Sequence, residues 1–440
     1  MPMAIAIGLV MAAPRGLRDR KSTAIALCVL AFGCGALLAG LAARPAPIAA
    51  IARSVPRCDI EAIVREAAGS FGDLIAVTSL RCPEEVYSGD LGAAVAAELE
   101  GQPGATVTGQ GWLLPLTSDR SDSSARRLGA SARVRFGEVA IAPPTGTLHR
   151  VPGGIRTALV DATRDISPRS AALLRGLAIG DTSEIDHGTV DRFRDSGLAH
   201  LLAVSGSNVA IVLAAAAVAA RRSSLRARAG LAAACLVLFV LVVGPEPSVL
   251  RAAAMGSLAL VALVTGRTTE PLAALGVATV AVIVLRPEMV HSPGLHLSVA
   301  ATAGMILFSP SLTVRLAKLP RPVAVVLAAT LAAQLAVAPV IIGTFGEVSL
   351  VAPVANLVAA PAVPPATILS LGAALLHRVW PPLGRAAMAM AEPFGAWILW
   401  VADATGAVPY AAIGVPRVAG FLVALPVGWF TVVAARRRVG

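Results

Sequence analysis

The sequence predicts an α-helical polytopic membrane protein of about ten transmembrane helices. An extracytoplasmic α+β domain, made of a small β-barrel and a helical segment, interrupts the series. Three observations lead there. Hydrophobic residues make up 56% of the chain and charged residues only 14%, against about 25% charged in a soluble domain, and the mean hydropathy is +0.76. Apolar runs recur at the length a bilayer core of about 30 Å demands. The arginines, finally, are distributed unevenly between the loops that join those runs.

The runs cover residues 23–43, 198–220, 229–244, 248–265, 271–286, 294–309, 322–342, 348–376, 384–402 and 417–435. Run 23–43 is placed with its C-terminal end outward. One set of loops then holds Arg15, Arg18, Arg20 and Lys21, then Arg221, Arg222, Arg226 and Arg228, then Arg267. It continues with Arg315, Lys318 and Arg321, with Arg378 and Arg385, and with Arg436–Arg438. The short loops opposite hold only Arg286 and Arg417. Cytoplasmic loops gather Lys and Arg, so residues 44–197 are expected outside and the C-terminus inside a cytoplasmic membrane. Met1–Ala13 is short for a span and reads as a short or partial helix.

The formal charge of +11 would suit a nucleic-acid binder if it were gathered on one soluble surface. It is not, because residues 44–197 hold 17 Arg against 19 Asp and Glu. The basic surplus lies in the membrane part and reads first as a topology signal. The chain divides into an N-terminal membrane segment (1–43), a β-rich, OB-like domain (44–150), a helical segment (151–197), a transmembrane domain (198–435) and a basic tail (436–440).

Within the outside interval, ATVTGQGWLLPL (105–116) and SARVRFGEVAIAP (131–143) alternate as short strands around a polar turn. Arg126, Arg127, Arg133 and Arg135 fall on or beside them. These arginines form either an ordinary solvated face or a surface where a nucleic-acid backbone could enter; Trp112 and Phe136 are the only nearby stacking side chains. Residues 153–197 carry helical spacing, with Ser167-Pro168 as a helix start. Cys28, Cys34 and Cys235 fall in apolar runs, whereas Cys58 and Cys82 fall in the outside interval. That compartment permits a Cys58–Cys82 disulfide, which spacing alone leaves open.

The most specific segments are SGLAHLLAVSGSNVAIV (196–212) and, before it, GLAIGDTSEID (176–186). They resemble the ComEC family of competence proteins, inner-membrane channels for DNA uptake in transformation. PEPSVLRAAAMG (245–256) is similar to the family's Arg-Ala-x-x-Met segment and GLHLSVAATAG (294–304) to its Gln-Leu-Ser segment, with Pro339, Phe345, Asn356 and Pro361 following in order. Ser207-Asn208 stands where Leu-His is common in the family, and His296 replaces the Gln. Many members continue into a metallo-β-lactamase-like domain bearing a His-x-His-x-Asp-His cluster. Here the six histidines (149, 187, 200, 291, 296, 377) are scattered. We therefore expect no metal, no cofactor and no enzymatic step of its own.

The resemblance implies an inner-membrane channel for single-stranded DNA. Its partners would be a surface DNA receptor, cytoplasmic DNA-translocating or helicase proteins and a separate nuclease, all working at the lipid bilayer, with a homodimer left open. No GxxxxGK[ST] loop is present to bind ATP. Polar side chains at membrane depth are costly and tend to face a bundle interior or a water path. His200, Ser205, Ser207, Asn208, Arg251, His296, Ser298, Gln334 and Asn356 are therefore the candidates for the path, with interhelical hydrogen bonding as the plain alternative. Arg251 would meet a phosphate or else pair with Glu246. The prolines at 353, 361, 364 and 365 break the eighth run, as happens where backbone lines a cavity. Two other functions fit the same pattern: a secondary transporter of a small solute or lipid, and a non-conducting scaffold.

Overall fold

The computed structural model describes residues 47–416 apart from 68–72, 84, 97–98, 100–104, 118–129, 143–146, 203, 245, 269, 287–288 and 291. The first and last predicted spans, Met1–Ala13 and the basic tail therefore lie outside the described residues, as do Arg126 and Arg127.

A short helix, α1 (Pro47–Ile51), leads into five strands: β1 (Arg57–Ala67), β2 (Asp73–Arg81), β3 (Val86–Ala96), β4 (Thr106–Pro115) and β5 (Ala132–Ala142). They pair in the order β1-β2-β3-β5-β4, and β4 returns to β1, so the sheet closes into a barrel. Only the β3–β5 pairing is parallel. Sequence alternation marked β4 and β5. The three earlier strands obey the same rule: Cys58, Ile60, Ala62 and Val64 point inward between exposed Arg57, Asp59 and Glu61. Closure lets Val77, Leu80, Val107, Leu113 and Val134 share one interior. At the bulge between Gln110 and Gly111, the β5 backbone crosses so near that a Cβ on Gly109 would lie 2.3 Å from the Glu138 carbonyl oxygen. Cys58 and Cys82 form a disulfide with Cα atoms 4.3 Å apart, joining β1 to the residue that follows β2. By the loop-entropy argument, closing a segment of this length is worth about 3 kcal/mol.

The helical part of the interval comprises α2 (Thr147–Ala162), α3 (Pro168–Ile179) and α4 (His187–Asp195). As the sequence predicts, α3 opens on Pro168 after Ser167. There follow α5 (Gly206–Ala219), α6 (Leu225–Val243), α7 (Pro247–Thr265), α8 (Pro271–Leu285), α9 (Pro293–Arg315), α10 (Arg321–Phe345), α11 (Ala352–Ala359), α12 (Val363–Val379) and α13 (Pro381–Gly406). Prolines set several starts, at Pro247, Pro271, Pro293 and Pro381, where a missing N–H does no harm. Two short strands, β6 (Glu347–Ser349) and β7 (Ala412–Gly414), clip the end of α10 to the segment after α13.

Among the described residues, α6, α7, α9 and α10 are long and apolar enough to cross a membrane. The α11–α12 pair, bent by 51°, makes a fifth if it is one broken span. α5 and α8 are apolar but shorter; α5 rises only about 21 Å. The predicted run 198–220 loses its first two turns because the chain passes through a 3-10 turn (Ala199–Leu201) and an extended Ser205 before α5 begins at Gly206.

The largest change from the sequence reading concerns α13. Its polar residues Arg385, Glu392 and Asp403 are spaced to share one helix face, and that face meets residues 165–169. Arg385 pairs with Asp165 at 3.6 Å, Glu392 accepts from the Ser167 amide at 2.9 Å, and Asp403 takes both ends of the Arg169 guanidinium at 3.1 Å. Arg378 lies against Gly154, where a Cβ would come within 2.0 Å of Nη1. Leu159, Leu173, Leu174 and Phe193 share one core with Ala366, Ala373, Met388, Ala391 and Ile398. Groups on opposite sides of a hydrocarbon core about 30 Å thick cannot touch. Residues 378 and 385 pack against residues 154–169, so the two segments are expected on one side of a membrane, where the sequence placed them on opposite sides.

That arrangement has a direct test. In a chain whose Cys28, Cys34 and Cys235 are replaced by Ser, cysteines introduced at Arg164 and at Val379, which is 86% exposed, should react with an impermeant maleimide from the same side of the membrane. Labelling from opposite sides would refute the packing.

Candidate functional site

Three helix ends converge where the most specific sequence segments meet. α3 ends in the left-handed Gly180 (φ 76°), whose amide donates to the Gly176 carbonyl, and Glu246 Oε1 would lie 3.1 Å from a Cβ built there. α5 begins after Ser205, and its side chain does not cap the helix. It bonds instead to the Ser207 hydroxyl and donates to Asn208 Oδ1 at 3.3 Å. α7 is held alongside by Ser248, whose hydroxyl donates to the Val204 carbonyl at 2.8 Å.

Arg251 stands one turn into α7 and is only 5% exposed. Its Nε donates to Ser298 Oγ on α9 at 2.9 Å and its Nη1 to Met255 Sδ at 3.5 Å. Nη2 lies over the first residue of α5, where a Cβ on Gly206 would be 2.6 Å away. Gly206 is therefore the residue that admits the guanidinium. Of the two roles open to Arg251 in the sequence, pairing with Glu246 is not the one it adopts. Among the described residues no carboxylate pairs with it, and its partners are a hydroxyl and a thioether. A cation buried in this way is expensive unless it meets an anion or a water path. The start of α5 adds amide dipoles of the sign that favours an anion.

The other predicted residues divide into those that join this group and those engaged elsewhere. Ser205, Ser207, Asn208, Arg251 and Ser298 are brought together. Asn208, however, is fully enclosed, its Nδ2 donating to the Leu177 carbonyl at 2.8 Å, and it staples α5 to the end of α3. His200 sits exposed on the 3-10 turn, off the stripe expected of one continuous helix, because the chain breaks between it and α5. His296 bonds the Val290 carbonyl at 2.6 Å, which can only accept, so the proton sits on Nε2. Gln334 donates to the Ser349 carbonyl at 2.8 Å and Asn356 to Ala352 of its own helix at 2.9 Å. Arg133 and Arg135 lie on the outward face of β5.

Sequence reasoning missed several arginines that build the scaffold. Arg156 donates to the Val242 and Val243 carbonyls at 2.6 and 2.5 Å, closing the end of α6. Arg175, buried within α3, forms a two-pronged pair with Glu184. Arg169 and Arg192 share Asp403, beside a cavity of about 210 Å³ lined by Pro168, Arg169, Glu184, Asp186, Thr189 and Leu202. The charged groups around that cavity already hold one another, unlike Arg251. A lone charge inside an apolar helix, as in ALLRGLAIG, was the available signal. Among the described residues no three His, Cys, Asp or Glu side chains gather as a metal site would require.

The family model for competence proteins matches residues 177–439, from the last turn of α3 onward, and so takes in the whole Arg251 group. The chain belongs to the competence protein family. No curated protein and no solved structure matches it. The barrel and α2 precede the matched range, so the competence region proper is the helical domain with α3's end, α4 and the Arg251 neighbourhood.

Two outcomes follow for this competence protein. Gly206→Val should push the guanidinium off Ser298 and lower stability in detergent by roughly 1–3 kcal/mol, read by thermal unfolding. Asp186 caps α4 by accepting from the Thr189 amide at 2.9 Å and hydroxyl at 2.7 Å, and the Thr189 hydroxyl and then its amide hold the carboxyl below its ordinary range. A lowered folded-state pKa stabilises fully above the unfolded value near 4, and the gain is lost as pH falls through the folded value. Asp186→Ala should therefore cost about 0.5–1 kcal/mol at pH 7, a gap that closes in acid titration below about pH 4.

Proposed function

We propose that this chain is the membrane passage through which single-stranded DNA enters the cytoplasm during transformation. The carrying observation is Arg251, a buried guanidinium set over the start of α5 and bonded, among the described residues, to Ser298 and Met255. It lies inside the region matched by the competence family. A polyanion must exchange water for fixed donors as it crosses. One cation with weak partners, flanked by Ser205, Ser207 and Ser298, offers a phosphate a step that does not trap it. The bent α11–α12 pair is the second wall of the path, since irregular backbone at membrane depth belongs beside a cavity.

In this reading the chain crosses the membrane about ten times, as its apolar runs suggest. The closed sheet is an OB-like entry vestibule on the outer side, a placement that its disulfide supports. The protein conducts without performing a chemical step. A surface receptor delivers DNA, cytoplasmic translocating or helicase proteins pull it, a separate nuclease removes the other strand, and the passage forms within one protomer or between two.

Deleting the gene from a transformable host should abolish transformation while DNA capture at the cell surface persists. Arg251→Gln, expressed at the wild-type level in the membrane by immunoblot, should lower transformation at least a hundredfold, with Arg251→Lys intermediate. Normal transformation by the Gln variant would sink the proposal.

A further inference from the structure

The strand register builds a second arrangement, outside the competence-matched region. Arg57 of β1 pairs across the ladder with Trp112 of β4, and Trp112 pairs with Arg135 of β5. Cross-strand partners project from one face of a sheet. Here it is the outer face: Cys58, Leu113 and Val134 beside them are buried, whereas Arg57, Trp112 and Arg135 are exposed, Trp112 at 46%. Arg57 is held in place, its Nη2 donating to Gln110 Oε1 at 3.2 Å and its Cζ lying 6.0 Å from the indole centroid. Two strand spacings separate the flanking arginines, so they stand about 10 Å apart with the indole between them.

The rows on either side differ in sign. Toward one end of the strands come Leu114 and Arg133; toward the other come Asp59, Gln110 and Glu138. An anionic ligand is therefore drawn to the indole and the Arg133 side and turned away from the acidic row. A flat π-face between two cations, bounded by carboxylates, has the complementarity of one stacked base with phosphates on both sides.

We propose that the Arg57–Trp112–Arg135 row binds single-stranded nucleic acid running across β1, β4 and β5, with Trp112 stacking a base and the two arginines contacting phosphates. The inference rests on the DNA reading above for its biological purpose, while its test needs no transport. Binding of a fluorescently labelled oligothymidylate to the purified full-length chain in detergent would be followed by anisotropy over a range of salt concentrations. Trp112→Ala should weaken binding roughly five- to a hundredfold with little change in salt dependence, and Trp112→Phe should recover part of the loss. Arg57→Ala with Arg135→Ala should reduce the slope of log affinity against log salt by about 1.4, and Asp59→Asn with Glu138→Gln should tighten binding. Thiol titration showing the Cys58–Cys82 disulfide intact confirms that each variant barrel is folded. Wild-type affinity in a folded Trp112→Ala chain overturns the inference and leaves the Arg251 passage untouched. Trp112-dependent binding to anionic vesicles without Trp112-dependent oligonucleotide binding also overturns it, in favour of contact with lipid headgroups. A null effect of gene deletion on transformation strikes the passage alone.

Discussion

The guanidinium of Arg251 sets the terms for the centre of this protein. A buried cation in an apolar bundle must find donors and acceptors or be neutralised, and here its partners come from three directions. Ser298 reaches it from α9, Met255 from its own helix, and the bare backbone of Gly206 makes room at the start of α5. Around it, Asn208 and Ser248 tie the end of α3 and the approach to α5 into the same node. Four helices are thereby positioned by a handful of polar bonds, in a domain where apolar side chains alone gain little by preferring one another to lipid.

A second set of polar contacts organises the other side of the helical domain. Residues 165–169 run along the polar face of α13, and Arg169 and Arg192 converge on Asp403. Behind them, alanines on α11–α13 let Leu159, Leu173 and Leu174 approach closely. The segment between the barrel and the first long apolar helix thus packs as part of the helical domain, although the family match takes it in only from residue 177, at the end of α3. The barrel is different in kind. It closes on its own ladder, fills its own interior and is cross-linked by its own disulfide.

Legibility in the sequence followed the range of the interactions. Apolar run length marked α6, α7, α9 and α10, with α7 and α10 found nearly to their ends and α6 and α9 cut short by four and six residues at their polar ends, because that signal is local. The Arg-Ala-x-x-Met and Gln-Leu-Ser-like segments pointed to Arg251 and Ser298 before any contact between them was visible. The same reading treated His200 through Asn208 as one striped helix, which the 3-10 turn and extended Ser205 break, and it did not foresee what packs on the polar face of α13. Periodicity encodes neither: a polar face is satisfied by whatever packs on it, and a helix starts where the backbone finds a cap or a close neighbour.

From the sequence alone came the membrane class and the family. These depend on composition, charge bias and short motifs, each of which survives without knowledge of what touches what. Tertiary structure decided the partners. It gave Arg251 to Ser298 in place of Glu246, tied Asn208 to the Leu177 carbonyl, and packed Arg378 and Arg385 against residues 154–169. It also aligned Arg57, Trp112 and Arg135, which lie far apart in the chain, on one row of a closed sheet. Pairing of that sort is set by strand register and helix packing, and both arise only when distant segments compete for the same neighbours.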